Sequence, residues 1–249
     1  MAVRTVLSRM TRKGWLTAER LGTRSWYGLT PRGRKLLESG RERIYRPTSD
    51  ASWDGRWSVI VFSVPEARRR LRDALRVRLS WLGCGLLTSG AWISPHDVRA
   101  EVLEIAAELK LARNVEIFRG EHLAHSSPER LVAQCWDLAG LDRRYAAFIA
   151  RWSREFEHCA QCGMTGARAG IHKPCTAPAD CFRRRFLLVH EYRAFPLEDP
   201  LLPGPLLPAG WNGKAAARLF ETYHDVLAGP AERFVADVCA EGDEIVAAA

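Results

Sequence analysis

Between Trp57 and Phe118 the apolar pattern switches repeatedly between a two-residue and a helical period, an order that few folds accommodate. Trp57-Ser58-Val59-Ile60-Val61-Phe62-Ser63-Val64 is a β-rich run closed by Pro65. Glu66 to Leu82 has helical spacing and carries Arg68, Arg69, Arg70, Arg72, Arg76 and Arg78. Cys84 to Leu87 and Ala91 to Ser94 predict two short strands turning at Ser89-Gly90. Asp97 to Leu109 predicts a second helix, and Val115-Glu116-Ile117-Phe118 a last strand. The order β-α-β-β-α-β is that of a ferredoxin-like sandwich, expected here over residues 53–123. From Ser127 onward helices are expected at 128–137, 140–157, 179–195, 213–228 and 230–240, with a Pro-rich loop from Asp199 to Trp211. Residues 126–249 are therefore read as a helical C-terminal domain, and the whole chain as α+β.

Ahead of this lies a segment of different electrostatic character. The formal charge of the chain is +8, yet residues 1–46 alone hold 12 Lys/Arg against 3 Asp/Glu. The remaining 203 residues hold 25 basic and 26 acidic side chains, so the excess positive charge is confined to the front. A small basic module is what binding to a polyanion requires, because phosphate contacts gain affinity from counterion release. A solvated basic arm would show the same charge but no apolar periodicity. Here Val3, Val6, Leu7 and Met10 recur at helical spacing until Gly14. Two short strands follow, around Trp15 to Arg20 and Trp26 to Leu29, joined through Gly22. Thr30 is a suitable N-cap and Pro31 a suitable first residue for a helix carrying Leu36 and Leu37.

Helix, hairpin, helix is the second half of a winged helix-turn-helix, expected over residues 1–46. Its first helix would enter the major groove of double-stranded DNA while the hairpin tip follows the backbone or the minor groove. The candidate DNA contacts are Arg4, Thr5, Ser8, Arg9, Arg12 and Lys13 on the helix, with Arg20, Thr23 and Arg24 on the wing. A complete domain of this kind has helices before the recognition helix, so the head is expected to be incomplete at its N-terminus.

Several chemistries find little support. No run of about 18 apolar residues is present to span a membrane. The charged N-terminus lacks a signal-peptide core, which leaves a cytoplasmic location as the expectation. Gly83-Cys84-Gly85-Leu86-Leu87-Thr88 fails the dinucleotide fingerprint at its last position, and neither G-x-S-x-G nor a phosphate-binding P-loop occurs. His190 and Glu191 are neighbours on a helix and point apart, without the second histidine of a zinc-protease motif. A metal-dependent nuclease would want several carboxylates after the first strand, where Ser63-Val64-Pro65-Glu66 offers one. No catalytic residue is assigned. Cys159-x2-Cys162 with His172-x2-Cys175 has the spacing of zinc ligands, Cys181 being spare; an insertion with unligated thiols is the alternative. Arg193 and Trp211, with His190 nearby in sequence, suit the phosphates and acyl group of a thioester effector, against ordinary packing. The arginine-rich helix 66–82 reads as a second DNA surface, an acceptor of coenzyme A phosphates, or a solvated face.

Several unusual strings occur together in order: Val3-Arg4-Thr5-Val6-Leu7-Ser8-Arg9-Met10 with Gly14-Trp15-Leu16, Trp26-Tyr27-Gly28-Leu29-Thr30-Pro31-Arg32-Gly33, and Trp57-Ser58-Val59-Ile60-Val61-Phe62. They continue with Phe186-Leu187-Leu188-Val189-His190-Glu191-Tyr192-Arg193, Asp199-Pro200-Leu201-Leu202-Pro203 and Leu206-Leu207-Pro208-Ala209-Gly210-Trp211-Asn212-Gly213. Over essentially its whole length the chain resembles the PaaX-like regulators of phenylacetate degradation. The resemblance implies a winged-helix head, a middle domain similar to the Cas2 nuclease fold, a helical C-terminal part and a homodimer on a palindromic operator. It also implies a repressor released from DNA by an acyl-CoA effector such as phenylacetyl-coenzyme A. The chain departs from the family in its shortened front and in the cysteine-bearing stretch 158–175. The rival reading is a coenzyme A-binding protein or enzyme descended from such a regulator that has lost DNA binding.

Overall fold

The computed structural model describes residues 2–22, 24–45, 52–123, 127–167 and 177–247. The chain divides into two compact units, Met1–Pro47 and Thr48–Ala249.

The first unit contains α1 (Ala2–Arg12), β1 (Leu16–Leu21), β2 (Arg24–Leu29) and α2 (Pro31–Ile44). Gly14, at φ +70°, takes the left-handed conformation that lets the chain leave α1 and turn into the hairpin. β1 and β2 pair antiparallel from Leu16 opposite Leu29 to Leu21 opposite Arg24. Thr30 is the tie point. Its hydroxyl donates to the Gly14 carbonyl at 2.7 Å and accepts from the Gly33 amide at 3.0 Å, while its own amide donates to the Trp15 carbonyl at 3.1 Å. One residue thus closes the hairpin, holds the end of α1 and caps α2. Pro31 occupies the first turn of α2, where its missing N–H costs nothing. Val3 and Val6 on α1 are exposed, whereas Leu7 and Met10 are half-buried.

In the second unit β3 (Arg56–Phe62), α3 (Arg69–Trp81), β4 (Gly85–Thr88), β5 (Ala91–Ser94), α4 (Arg99–Glu108) and β6 (Val115–Glu121) form a four-stranded sheet with two helices. The strand order is β4-β5-β3-β6 and every neighbouring pair is antiparallel, which is the ferredoxin-like topology expected. Alternation along β3 supplies two cores. Ile60 and Phe62 pack with Leu75 and Leu79 of α3 and Val102 and Ala106 of α4. Trp57, on the other face with Ile93, packs against Val132 of α5 (Pro128–Cys135), Leu138, Leu202 and Leu206. The sheet is consequently buried on both sides, one by its own helices and one by the C-terminal part. Ser58, fully buried, donates to the His96 carbonyl at 2.8 Å and accepts from the Arg119 guanidinium at 3.1 Å, so its hydroxyl is satisfied.

The C-terminal part is built on α6 (Leu138–Ala167), α7 (Pro178–Tyr192), the single turn α8 (Phe195–Glu198) and α9 (Gly213–Ala247). Phe148, Trp152, Tyr192, Phe195, Phe220 and Tyr223 form its aromatic core, in which Tyr192 and Phe220 stack with centroids 3.9 Å apart. Two sequence expectations need correcting. α6 runs on past residue 157, and the helices expected at 213–228 and 230–240 are one continuous helix with Pro230 inside it. Proline removes one backbone hydrogen bond, but Leu227 and Ala231 on either side are buried, so packing carries the helix through. The loop from Asp199 to Asn212 is pinned at several points. Asp199 accepts from the Tyr145 hydroxyl and the Leu201 amide, both at 2.7 Å, His96 donates to the Leu201 carbonyl at 2.9 Å, and the Asn212 amide donates to Asp142 at 2.8 Å. Burial pushes the Asp199 carboxyl above the ordinary carboxylate range. No helix of the described residues is long and apolar enough to cross a membrane.

Candidate nucleic-acid interface

Helical spacing puts Arg4, Thr5, Ser8, Arg9 and Arg12 on one side of α1, opposite Val3, Leu7 and Met10. All five polar residues are exposed. The side chains of Arg4, Arg9 and Arg12 have no hydrogen-bond or ion-pair partner among the described residues. An extended cationic face without internal counter-charges is free to meet phosphates and base edges. Lys13 is placed differently: its ammonium lies over the Trp15 ring, 4.6 Å from the centroid, a cation–π contact at the exit of α1. Arg20 on β1 donates to the Gly22 carbonyl at 3.2 Å, and so stiffens the hairpin near its tip. Gly22 itself has φ +60°. Arg24 opens β2 opposite Leu21, while Thr23 lies outside the described residues.

The arginines of α3 and the turn before it are largely spent inside the fold. Arg68 donates to the Lys110 carbonyl at 2.7 Å, Arg72 to Glu66 at 2.9 Å and Arg76 to the Ser89 carbonyl at 2.6 Å; Arg78 pairs with Glu108. Glu66, the lone carboxylate after the first strand, is held by Arg69 and Arg72. These contacts tie α3 and the turn before it to each other, to α4 and its C-terminal end, and to the β4–β5 turn, and the helix is a weaker phosphate surface than its composition suggests.

The effector candidates occupy two environments. His190 and Arg193 are exposed near the end of α7, where Arg193 approaches His190 at 3.5 Å and the His190 ring stacks on Phe186. Trp211 is half-buried, edge-on to Tyr145 at 5.5 Å, and packs with the core on the sheet's second face. Glu191 turns inward instead, taking hydrogen bonds from Arg151 at 2.8 Å and Trp152 at 3.1 Å. Of the zinc candidates, Cys159 is half-buried on α6, Cys162 follows on the same helix with its side chain outside the described residues, and His172 and Cys175 lie outside them altogether. Elsewhere burial pushes the Cys84 thiol up to about 12 and the Cys135 thiol to about 11, so neither is a nucleophile at neutral pH.

One feature escaped sequence reasoning. A cleft of about 540 Å³ opens between the start of α6 and the loop after α8, lined among others by Trp136, Leu138, Arg143, Arg144, Glu198 and Pro200. Arg143-Arg144 on a helix gives no signal distinguishing it from any exposed basic pair; only the fold brings Glu198 and Pro200 opposite.

Comparison with known proteins finds three family models that match successive stretches of the chain. Residues 1–33 match the PaaX-like protein family, residues 50–132 the PaaX protein central Cas2-like domain, and residues 136–237 the PaaX-like protein C-terminal domain. The transcriptional repressor PaaX of Escherichia coli (strain K12) is 32% identical over 238 residues, covering 94% of this chain and 71% of the relative. An uncharacterized protein of Mycobacterium tuberculosis superposes with a TM-score of 0.55 at 23% identity, over 92% of this chain and 82% of that one, and shows the same fold.

Proposed function

Because the chain belongs to the PaaX-like family of transcriptional regulators, we propose that it represses genes of phenylacetate or related aromatic acyl catabolism and leaves its operator when an acyl-CoA effector binds. The coarser statement, a repressor-type regulator that binds DNA, rests on the family; the pathway, the effector and the homodimer are the proposal. The observation that carries it is the unpaired cationic face of α1, set beside a hairpin that Thr30 fixes to the same helix. In this reading exposed Arg9 and Arg12 meet guanine edges or phosphates, and the wing residues Arg20, Thr23 and Arg24 are assigned to the flanking backbone. No enzymatic step is needed for this role. Zinc at Cys159, Cys162, His172 and Cys175 is a separate proposal; metal analysis of untagged protein supports it at about one equivalent and removes it below about a tenth.

The test is a mobility-shift titration with the protein's own promoter, repeated with phenylacetyl-coenzyme A. A salt-sensitive complex that dissolves on adding the thioester supports the proposal. A folded protein that ignores its promoter at low salt refutes it, and favours the coenzyme A-binding alternative.

A further inference from the structure

We propose that the cleft between α6 and the loop after α8 is the seat of the effector. It takes an anionic head group on Arg143, with an apolar acyl or aromatic portion against Trp136 and Leu138. This rests on the reading of the protein as an effector-controlled repressor, and it places the effector away from His190 and Arg193.

Three observations lead there. The volume, about 540 Å³, is that of a small-molecule site, and Trp136, Leu138, Leu141 and Ala147 make much of the wall apolar. The remaining wall carries two acidic and two basic side chains, and three of the four are committed to partners. Asp137 is engaged with the Gly140 amide at 2.8 Å and caps the start of α6; Glu198 is engaged with Arg144, one of the two bonds measuring 3.3 Å. Arg143, exposed on the same wall, has no partner among the described residues. An uncommitted guanidinium beside an apolar wall selects a carboxylate or phosphate joined to an apolar body. The cleft also adjoins the core on the sheet's second face. Trp136 stacks on Trp57 of β3 and donates to the Gly83 carbonyl at 3.2 Å, while Pro200 lies between half-buried Asp199 and the His96-bonded Leu201. A bound anion competes with Glu198 for Arg144, and that exchange transmits occupancy to the loop covering the sheet.

The probes are phenylacetyl-coenzyme A, free coenzyme A and phenylacetate, titrated calorimetrically into the full chain, into Arg143→Glu and into Arg193→Glu. Arg143 is exposed and unpaired, so its variant should melt as the parent does. We expect at least about tenfold weaker binding of the best probe in Arg143→Glu, unchanged binding in Arg193→Glu, and unchanged operator affinity without ligand in both. Weakening for the two coenzyme A compounds assigns the anion to phosphate; weakening for phenylacetate assigns it to carboxylate. Full affinity in Arg143→Glu, loss in Arg193→Glu instead, or a DNA-binding parent that takes up none of the three probes overturns the cleft while leaving the repressor standing. A parent that binds a probe in an Arg143-dependent way but never binds its promoter supports the cleft as a ligand site and refutes the repressor.

Discussion

Arginine serves two purposes in this protein, and partner count separates them. Arg68, Arg72, Arg76 and Arg78 each reach a carbonyl or carboxylate of the same fold and hold α3 in place. Arg4, Arg9 and Arg12 reach none among the described residues, and side chains of that length are ordered only when something outside supplies the counter-charge. Arg9→Ala is therefore expected to weaken operator binding by about 1–3 kcal/mol with little change on random DNA; equal losses on both sequences in a competition assay would make Arg9 a phosphate contact. His224 makes a different prediction. Its Nε2 accepts from the Arg185 guanidinium at 3.1 Å, and burial, followed by the charge of Arg185, holds its pKa below the usual 6.5, against the pull of Asp225 and Glu232. A depressed histidine protonates more readily in the unfolded chain, so its contribution is complete above about pH 6.5 and declines as the pH falls below it. His224→Gln should flatten the fall in Tm between about pH 7 and 5 relative to the parent. Identical slopes in the two melting series would exclude this role.

Among the elements, the junction Thr30-Pro31-Arg32-Gly33 decides whether the head can present α1 at all. A Cβ on Gly33 would sit 2.2 Å from the Trp15 carbonyl oxygen, a backbone atom with no room to retreat. Thr30→Ala should cost the head about 1 kcal/mol from the lost cap. Gly33→Ala should abolish DNA binding while leaving the melting of the larger unit in place; retained operator affinity in Gly33→Ala would show that the junction tolerates a shift. Much of this level was legible in the sequence, because its signals are local. Thr30-Pro31 marks a helix start, Gly14 a helix end, and the β-rich run from Trp57 to Val64, closed by Pro65, marks a strand. What stayed hidden is set by distant packing. Pro230 reads as a break until Leu227 and Ala231 are seen buried around it, and the arginines of α3 read as a free surface until Glu66, Ser89, Glu108 and Lys110 arrive beside them. The cleft was equally invisible, since Arg143 and Glu198 are brought together only by the turn of α8.

At the scale of the whole molecule, charge and core are carried by different parts. The first 46 residues have the excess positive charge, and among their described residues no apolar side chain is fully buried; the well-packed apolar cores belong to Thr48–Ala249. Stability and DNA affinity are consequently expected to separate. A fragment spanning Thr48–Ala249 keeps the sheet buried on both faces and the aromatic helical core, so it should fold alone with a cooperative melt. Its formal charge is close to neutral, since residues 47–249 hold 25 basic and 26 acidic side chains, so it should show no salt-sensitive DNA complex. The full chain, with roughly six phosphate contacts from the head, should lose on the order of a thousandfold in affinity between about 50 and 200 mM salt. Measuring both slopes side by side locates the interface. A fragment that binds duplex DNA with the slope of the full chain would move the interface into the Cas2-like or helical part, and the cationic face of α1 would then need another partner.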